Sequence, residues 1–171
     1  GNSTAPATLT LFEDFHCSAC AYFNREMIHQ VEERYVSTGE LKIIFRHFVH
    51  YGDDSLVAAE AAECVHEQDV EYRNDNFRPF HNLLFENQRQ PLEPRLSEFA
   101  RQVGVQDMAA FENCVASGKY AEKIRESTAW ITGQGARGTP AIIVGDRIYT
   151  GVPSMEALEQ GIAEQLQHLD L

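Results

Sequence analysis

From Thr8 to Phe15 the chain is dominated by apolar residues, with Leu9, Leu11 and Phe12 set among threonines, and reads as a strand. At Cys17 the spacing changes. Phe23, Met27, Ile28, Val31 and Tyr35 recur at three- and four-residue steps, which is one face of a helix, and Gly39 stands where a helix stop is wanted. Leu41 to Phe48, Leu-Lys-Ile-Ile-Phe-Arg-His-Phe, is an apolar run that predicts a strand covered on both faces. Strand, helix, strand makes a βαβ unit with parallel strands and a right-handed crossover.

Between Ser55 and Gly133 the pattern predicts four or five short helices, in alanine-rich and charged stretches punctuated by Pro79, Pro91, Pro94 and Gly104. Strand signals return at Ala141 to Val144 and Arg147 to Thr150, joined by Gly145-Asp146, a pair suited to a tight hairpin turn. A last helix is expected from about Ser154, with Met155, Leu158, Ile162, Leu166 and Leu169 on one face. The expected organisation is therefore α/β: one discontinuous domain from residues 1–50 and 136–171, interrupted by a helical domain over 51–135.

The 171-residue length suits one domain, or one domain carrying an insertion, and 43% apolar residues with 10 Phe and 6 Tyr supply a core and argue against disorder. No run approaches the ~18 apolar residues of a membrane-spanning helix. A formal net charge of -12 repels phosphate backbones and excludes nucleic acid as a partner. Gly1 to Ala7 is small and polar rather than basic and apolar, so the expectation is a cytosolic chain or a mature or trimmed form. Four cysteines are too few for a disulfide-stapled scaffold, and only Cys17 and Cys20 are close, which places the chemistry there.

Cys17-Ser18-Ala19-Cys20 lies where the first strand hands over to the first helix. Unpaired N–H groups and the positive end of the helix dipole stabilise an anion at that point, so Cys17 is expected as the acidic, exposed nucleophile. Cys20, three residues on, can close a small disulfide and is expected to resolve it. Zinc sites use the same spacing but need a second pair or two histidines. His16, His47, His50, His66 and His81 are dispersed, leaving a metal-delivering site of Cys17, Cys20 and His16 as an alternative. A protonated His16 would favour a Cys17 thiolate; a plain exposed loop residue is the other reading. Pro140, in Gly138-Thr139-Pro140-Ala141, precedes a strand and so either opens it or takes an unusual geometry; a cis Thr139-Pro140 bond is the expectation.

Phe12-Glu13-Asp14-Phe15-His16-Cys17-Ser18-Ala19-Cys20, the inserted helical region, and Arg137-Gly138-Thr139-Pro140-Ala141 followed by Gly145 and Gly151 resemble the DsbA-like thiol-disulfide oxidoreductases of the thioredoxin superfamily, over nearly the whole chain. The resemblance implies a thioredoxin-like fold with an inserted helical domain. It casts Cys17 as nucleophile, Cys20 as resolving thiol, Pro140 as the cis-proline facing them and Thr139 as the residue that pairs with substrate backbone. It implies no cofactor and no resident metal. Its partners would be unfolded or reduced cysteine-containing proteins and a DsbB-like or VKOR-like membrane protein that re-oxidises a monomeric enzyme. The location would be extracytoplasmic, in the periplasm or cell envelope, with an anchor possible in a longer form.

Two departures stand out. Ser18 and Ala19 replace the proline, aromatic or histidine that relatives often carry between the cysteines, so fewer cationic or ring groups help the thiolate, and its tuning is assigned to His16, to Ser18 with its donating hydroxyl and to Ala19. Relatives also place a buried glutamate where this chain has Leu11; Glu13, on the strand face of Leu11, or Asp14 is a substitute proton relay. An oxidant weaker than its histidine-bearing relatives is expected, with a reductase or isomerase as the alternative direction. Relatives carry cysteines near Cys64 and Cys114, implying a structural disulfide worth ~4 kcal/mol in the chain-entropy model; two buried free thiols are the other possibility. Phe77, Phe80, Phe85 and Trp130 read as packing, and Lys119 to Arg125, Glu32-Glu33 and Asp53-Asp54 as solvated faces or helix ends.

Overall fold

The computed structural model describes residues 1–169. Strand β1 (Ala7–Glu13) lies inside a four-stranded sheet of order β2-β1-β3-β4. It runs parallel to β2 (Leu41–His47) and antiparallel to β3 (Ala141–Val144), which pairs in turn with β4 (Arg147–Thr150) through the Gly145-Asp146 turn. Successive side chains of a strand point to opposite faces. Ala7, Leu9 and Leu11 are therefore buried together on one face, with Phe23, Ile28 and Val31 from the following helix and Leu158 and Ile162 from the last one. Phe12 faces the other way, against Phe48, Ile131, Ala136 and Ala141.

The helix after Cys17 starts as α1 (Ser18–Phe23), passes through a π-helical turn (Asn24–Ile28), resumes as α2 (His29–Val31) and closes in a second π turn (Glu32–Val36). Gly39, at φ 80°, reverses the chain into β2. Five α-helices follow: α3 (Asp53–Tyr72), α4 (Phe77–Asn87), α5 (Leu96–Val103), α6 (Met108–Ser117) and α7 (Ala121–Gly133), with a 3-10 turn at Glu93–Arg95. The first of them has 20 residues and is not short. The Asp107 carboxylate caps α6 by accepting from Ala110 N at 2.8 Å. The Ser154 hydroxyl does the same for Ala157 N in α8 (Met155–Leu169). The Leu169 side chain, expected on the apolar face of α8, lies outside the described residues.

Ala58, Ala59, Ala61 and Ala62 make α3 thin, and Phe80, Leu84, Phe99, Phe111 and Ile124 close around it. A Cys64–Cys114 disulfide ties α3 to α6. Phe15, Cys17 and Cys20 belong to this same cluster, so the cysteine motif stands where the helical core meets the sheet. Helix α7 reaches back to the sheet: Ser127 Oγ donates to the His47 carbonyl at 2.7 Å and Thr128 Oγ1 accepts from Val49 N at 3.0 Å.

One expectation from the pattern is corrected and one sharpened. Strand β2 is an edge strand that pairs only with β1 among the described residues, and Ile43, Ile44 and Phe45 are half-buried rather than fully covered. Trp130 does pack, but at the surface. It stacks on Phe12 with ring centroids 5.7 Å apart and leaves 53% of its surface exposed.

Candidate active site at the Cys17–Cys20 motif

After β1 the chain turns through Asp14, Phe15 and His16. The buried Asp14 carboxylate accepts four hydrogen bonds: from His16 N (2.8 Å), His50 N (2.6 Å), Tyr51 N (3.1 Å) and Ser55 Oγ (2.6 Å). Two oxygens offer about four acceptor positions, so its capacity is spent. Asp14 therefore anchors the motif loop to the segment between β2 and α3, which corrects the expectation of a relay at this residue.

Cys17 has extended backbone angles (φ -78°, ψ 116°) and is the N-cap of α1, one step before the first helical turn in which it was expected. Its Sγ accepts from Cys20 N at 3.3 Å and stands 3.4 Å from the Thr139 carbonyl oxygen. The Thr139-Pro140 bond is cis. Cys17 is pulled down to about 6, chiefly by the hydrogen bond from the Cys20 thiol; burial opposes this, and the Thr139 side chain and the N–H groups of Cys20 and Ala19 add to it. Cys20 is pushed far up, first by burial, then by its hydrogen bond to Cys17 and by the charges of Glu13 and Cys17. The proton belongs to Cys20 and the charge to Cys17.

Cys17 is not the exposed residue that the motif predicts: only 3% of its surface is open, against 0% for Cys20. The N-cap conformation turns the side chain across the helix end, where it joins the apolar cluster and meets the Thr139-Pro140 segment. The exposed Tyr51 is near enough that its hydroxyl is pushed up first of all by the Cys17 charge.

His16 also departs from expectation. Its Nδ1 lies 3.0 Å from the Gln88 carbonyl and its Nε2 bonds Asp54, which in turn accepts from Leu92 N and Glu93 N. The ring is thus committed to the helical region, and the groups that lower Cys17 do not include it. Ser18 is exposed, and Ala19 acts through its backbone N–H alone. For the metal alternative, no group of three or more His, Cys, Asp or Glu side chains converges among the described residues.

Glu13 is buried on the Cys20 side, bonded by Asn24 Nδ2 and by His81 Nε2 at 2.9 Å. His81 was missed as a site residue. The available signal was a single histidine on the apolar stripe of α4, among Phe77, Phe80, Leu84 and Phe85, because a buried polar ring requires a partner.

Over residues 1–164 the chain matches the sequence model of a family described as Thioredoxin. "Probable disulfide bond formation protein D" of Bacillus anthracis is 24% identical over 98% of this chain and 77% of its own length. Oxidised BdbD from Bacillus subtilis superposes with a TM-score of 0.87, at 22% identity, covering 98% of this chain and 91% of that one. Oxidised Mtb DsbA does so with a TM-score of 0.73, at 29% identity, covering 99% and 89%.

Proposed function

Since the chain belongs to the thioredoxin family, with residues 1–164 matched, we propose that it is a thiol-disulfide oxidoreductase that introduces disulfides into other proteins through Cys17 and Cys20. The observation that carries this reading is the placement of Cys17 at the N-cap of α1, three residues from Cys20 and against the cis Thr139-Pro140 segment, an arrangement that lowers Cys17 and raises Cys20. A substrate thiolate attacks the Cys17 sulfur of the oxidised pair; a mixed disulfide forms, and Cys20 leaves and takes a proton. A second substrate thiolate then attacks the substrate sulfur of that bond, closing the substrate disulfide and expelling Cys17 as a thiolate. Two electrons have passed to the enzyme. The acidity of Cys17 makes it a good leaving group and stabilises the reduced enzyme, which favours oxidation of the substrate.

Relatives named as disulfide bond formation proteins support this direction. In this reading the substrates are unfolded or reduced proteins whose backbone pairs with Thr139 beside Pro140. A quinone-linked membrane protein restores the disulfide, and the enzyme works outside the cytoplasm, where disulfides persist. Among the described residues no helix is long and apolar enough to cross a membrane.

The test is the Cys17–Cys20 reduction potential together with oxidative refolding of a reduced, unfolded client. The expected potential lies above the ~-270 mV of thioredoxin, with catalysed disulfide formation. A potential at or below that value, with no catalysis, refutes the reading.

A further inference from the structure

Glu13, His81 and Arg78 form a line of buried polar contacts on the Cys20 side of the motif that the exchange steps above leave unused. Arg78 Nη1 stands 3.0 Å from His81 Nδ1. A guanidinium only donates, so Nδ1 is the acceptor and the ring proton sits on Nε2, which donates to Glu13 Oε2 at 2.9 Å. Burial pushes His81 down, toward the neutral ring that this pattern requires. The ring is packed among Phe15, Phe45, Phe77 and Phe85, with centroids 4.8 to 5.7 Å away, which fixes its orientation. Arg78 is held by the Asn24 and Asn82 side-chain oxygens and by Glu32 Oε1, which its Nε meets at 3.1 Å. Its Nη2 stands 3.0 Å from the same Glu32 oxygen, an ion pair without a second hydrogen bond. Asn24 Nδ2 bridges the Glu13 carboxylate and the Cys20 carbonyl. The carboxylate is thereby clamped against the residue whose thiol its charge raises.

We infer that His81 is a positioning residue which holds the Glu13 carboxylate against Cys20, and that this charge steers the mixed disulfide toward oxidation of the substrate. The inference rests on the thiol-exchange reading. A mixed disulfide on Cys17 has two fates. The second substrate thiolate attacks the substrate sulfur, so that the substrate S–S bond forms, the bond to Cys17 breaks and Cys17 departs with the electron pair. Otherwise Cys20 gives up its proton and attacks Cys17 Sγ, restoring the Cys17–Cys20 bond and returning the substrate as a thiolate, with no net oxidation. Of the two fates only the return route, the reverse of the step that expelled Cys20, passes through a negative sulfur there, buried beside a carboxylate, and like charges in a poorly solvated site repel. The carboxylate thus slows capture and return alike and leaves the second substrate attack untouched. Glu13 therefore acts as a fixed charge that closes the return route, not as a base that opens it. The helical region contributes through His81 to chemistry at a sulfur that the β1–α1 segment carries.

The test uses a peptide with one cysteine, whose mixed disulfide with the enzyme, once freed of excess peptide thiol, decays by attack of Cys20. Glu13→Gln should accelerate that decay by about tenfold, because the thiolate population at Cys20 grows faster than its nucleophilicity falls. His81→Leu should move the rate the same way, and His81→Gln, whose amide can donate from the Nε2 position, should restore it to nearly the wild-type value. A decay in Glu13→Gln that is unchanged or slower overturns the inference, and slower decay identifies Glu13 as a proton acceptor for Cys20. Circular dichroism checks folding; should His81→Leu not fold, the isosteric Glu13→Gln decides alone. Failure of the wild-type enzyme to form the mixed disulfide or to oxidise a dithiol peptide sinks the exchange reading itself, a result distinct from normal exchange with an unaltered Glu13→Gln rate.

Discussion

Cys17 and Cys20 stand three residues apart at the start of α1, whereas Cys64 and Cys114, 50 residues apart in the chain, join α3 to α6 within the helical core. The first pair is surrounded by asymmetry: one sulfur receives hydrogen bonds from N–H groups and from its partner, the other faces burial and a carboxylate. The second pair sits beside α3 alanines, with Cys64 buried and Cys114 partly so. Redox readiness therefore comes from what differs between the two sulfurs of a pair, and structural service from closing a long loop.

The largest expected effect breaks the comparison if it fails. Cys17→Ser should bring dithiol oxidation down to the uncatalysed rate, while Cys64→Ala with Cys114→Ala should leave the turnover near wild type in the same assay. That double variant should instead lose ~4 kcal/mol of stability in denaturant titrations, from loop closure; lost turnover with stability intact would reverse the roles of the two pairs.

The acidity of Cys17 has its own stability signature. Its value in the folded protein, about 6, is depressed from the ordinary 9.0, so ionisation favours the folded reduced form. That contribution is complete above pH 9, declines as the pH falls toward 6 and is absent below it, with an upper bound of about 4 kcal/mol. Denaturation midpoints of reduced wild type and Cys17→Ser should thus diverge between pH 6 and 9, and parallel curves would remove the distinction between the pairs. Asp14→Ala strips an acceptor from three backbone N–H groups and the Ser55 hydroxyl, and should cost about 2 kcal/mol or more in a thermal melt. The smallest effect is assigned to His16→Ala. Thiolate absorbance should still report Cys17 titrating near 6, since His16 is spent on Asp54 and Gln88; a clear rise would restore it to the thiolate's surroundings.

Much of this architecture was legible from short-range pattern. Alternation and three-to-four spacing located β1, the helix that Gly39 ends and the β3–β4 hairpin, because a side chain's direction within one element depends on a few neighbours. The position of Cys17 at a helix start was legible for the same reason, and there its Sγ accepts from Cys20 N, although the Cys20 thiol does more to lower its pKa. Alternation also placed Glu13 on the inward face of β1. It could not supply the partner, because His81 lies 68 residues away and meets Glu13 only once α4 has packed.

The chain alone determined the strand–helix–strand frame, the motif at a helix start and the hairpin, all consequences of backbone geometry and local hydrogen bonding. Tertiary packing alone decided that β2 is an edge, that Cys17 is covered, that His16 turns to Asp54 38 residues away and that Asp14 is an anchor while Glu13 faces Cys20. The reason is physical: a polar group's role follows from which donors and charges surround it once water is excluded, and those neighbours are brought together by the burial of apolar surface between distant elements.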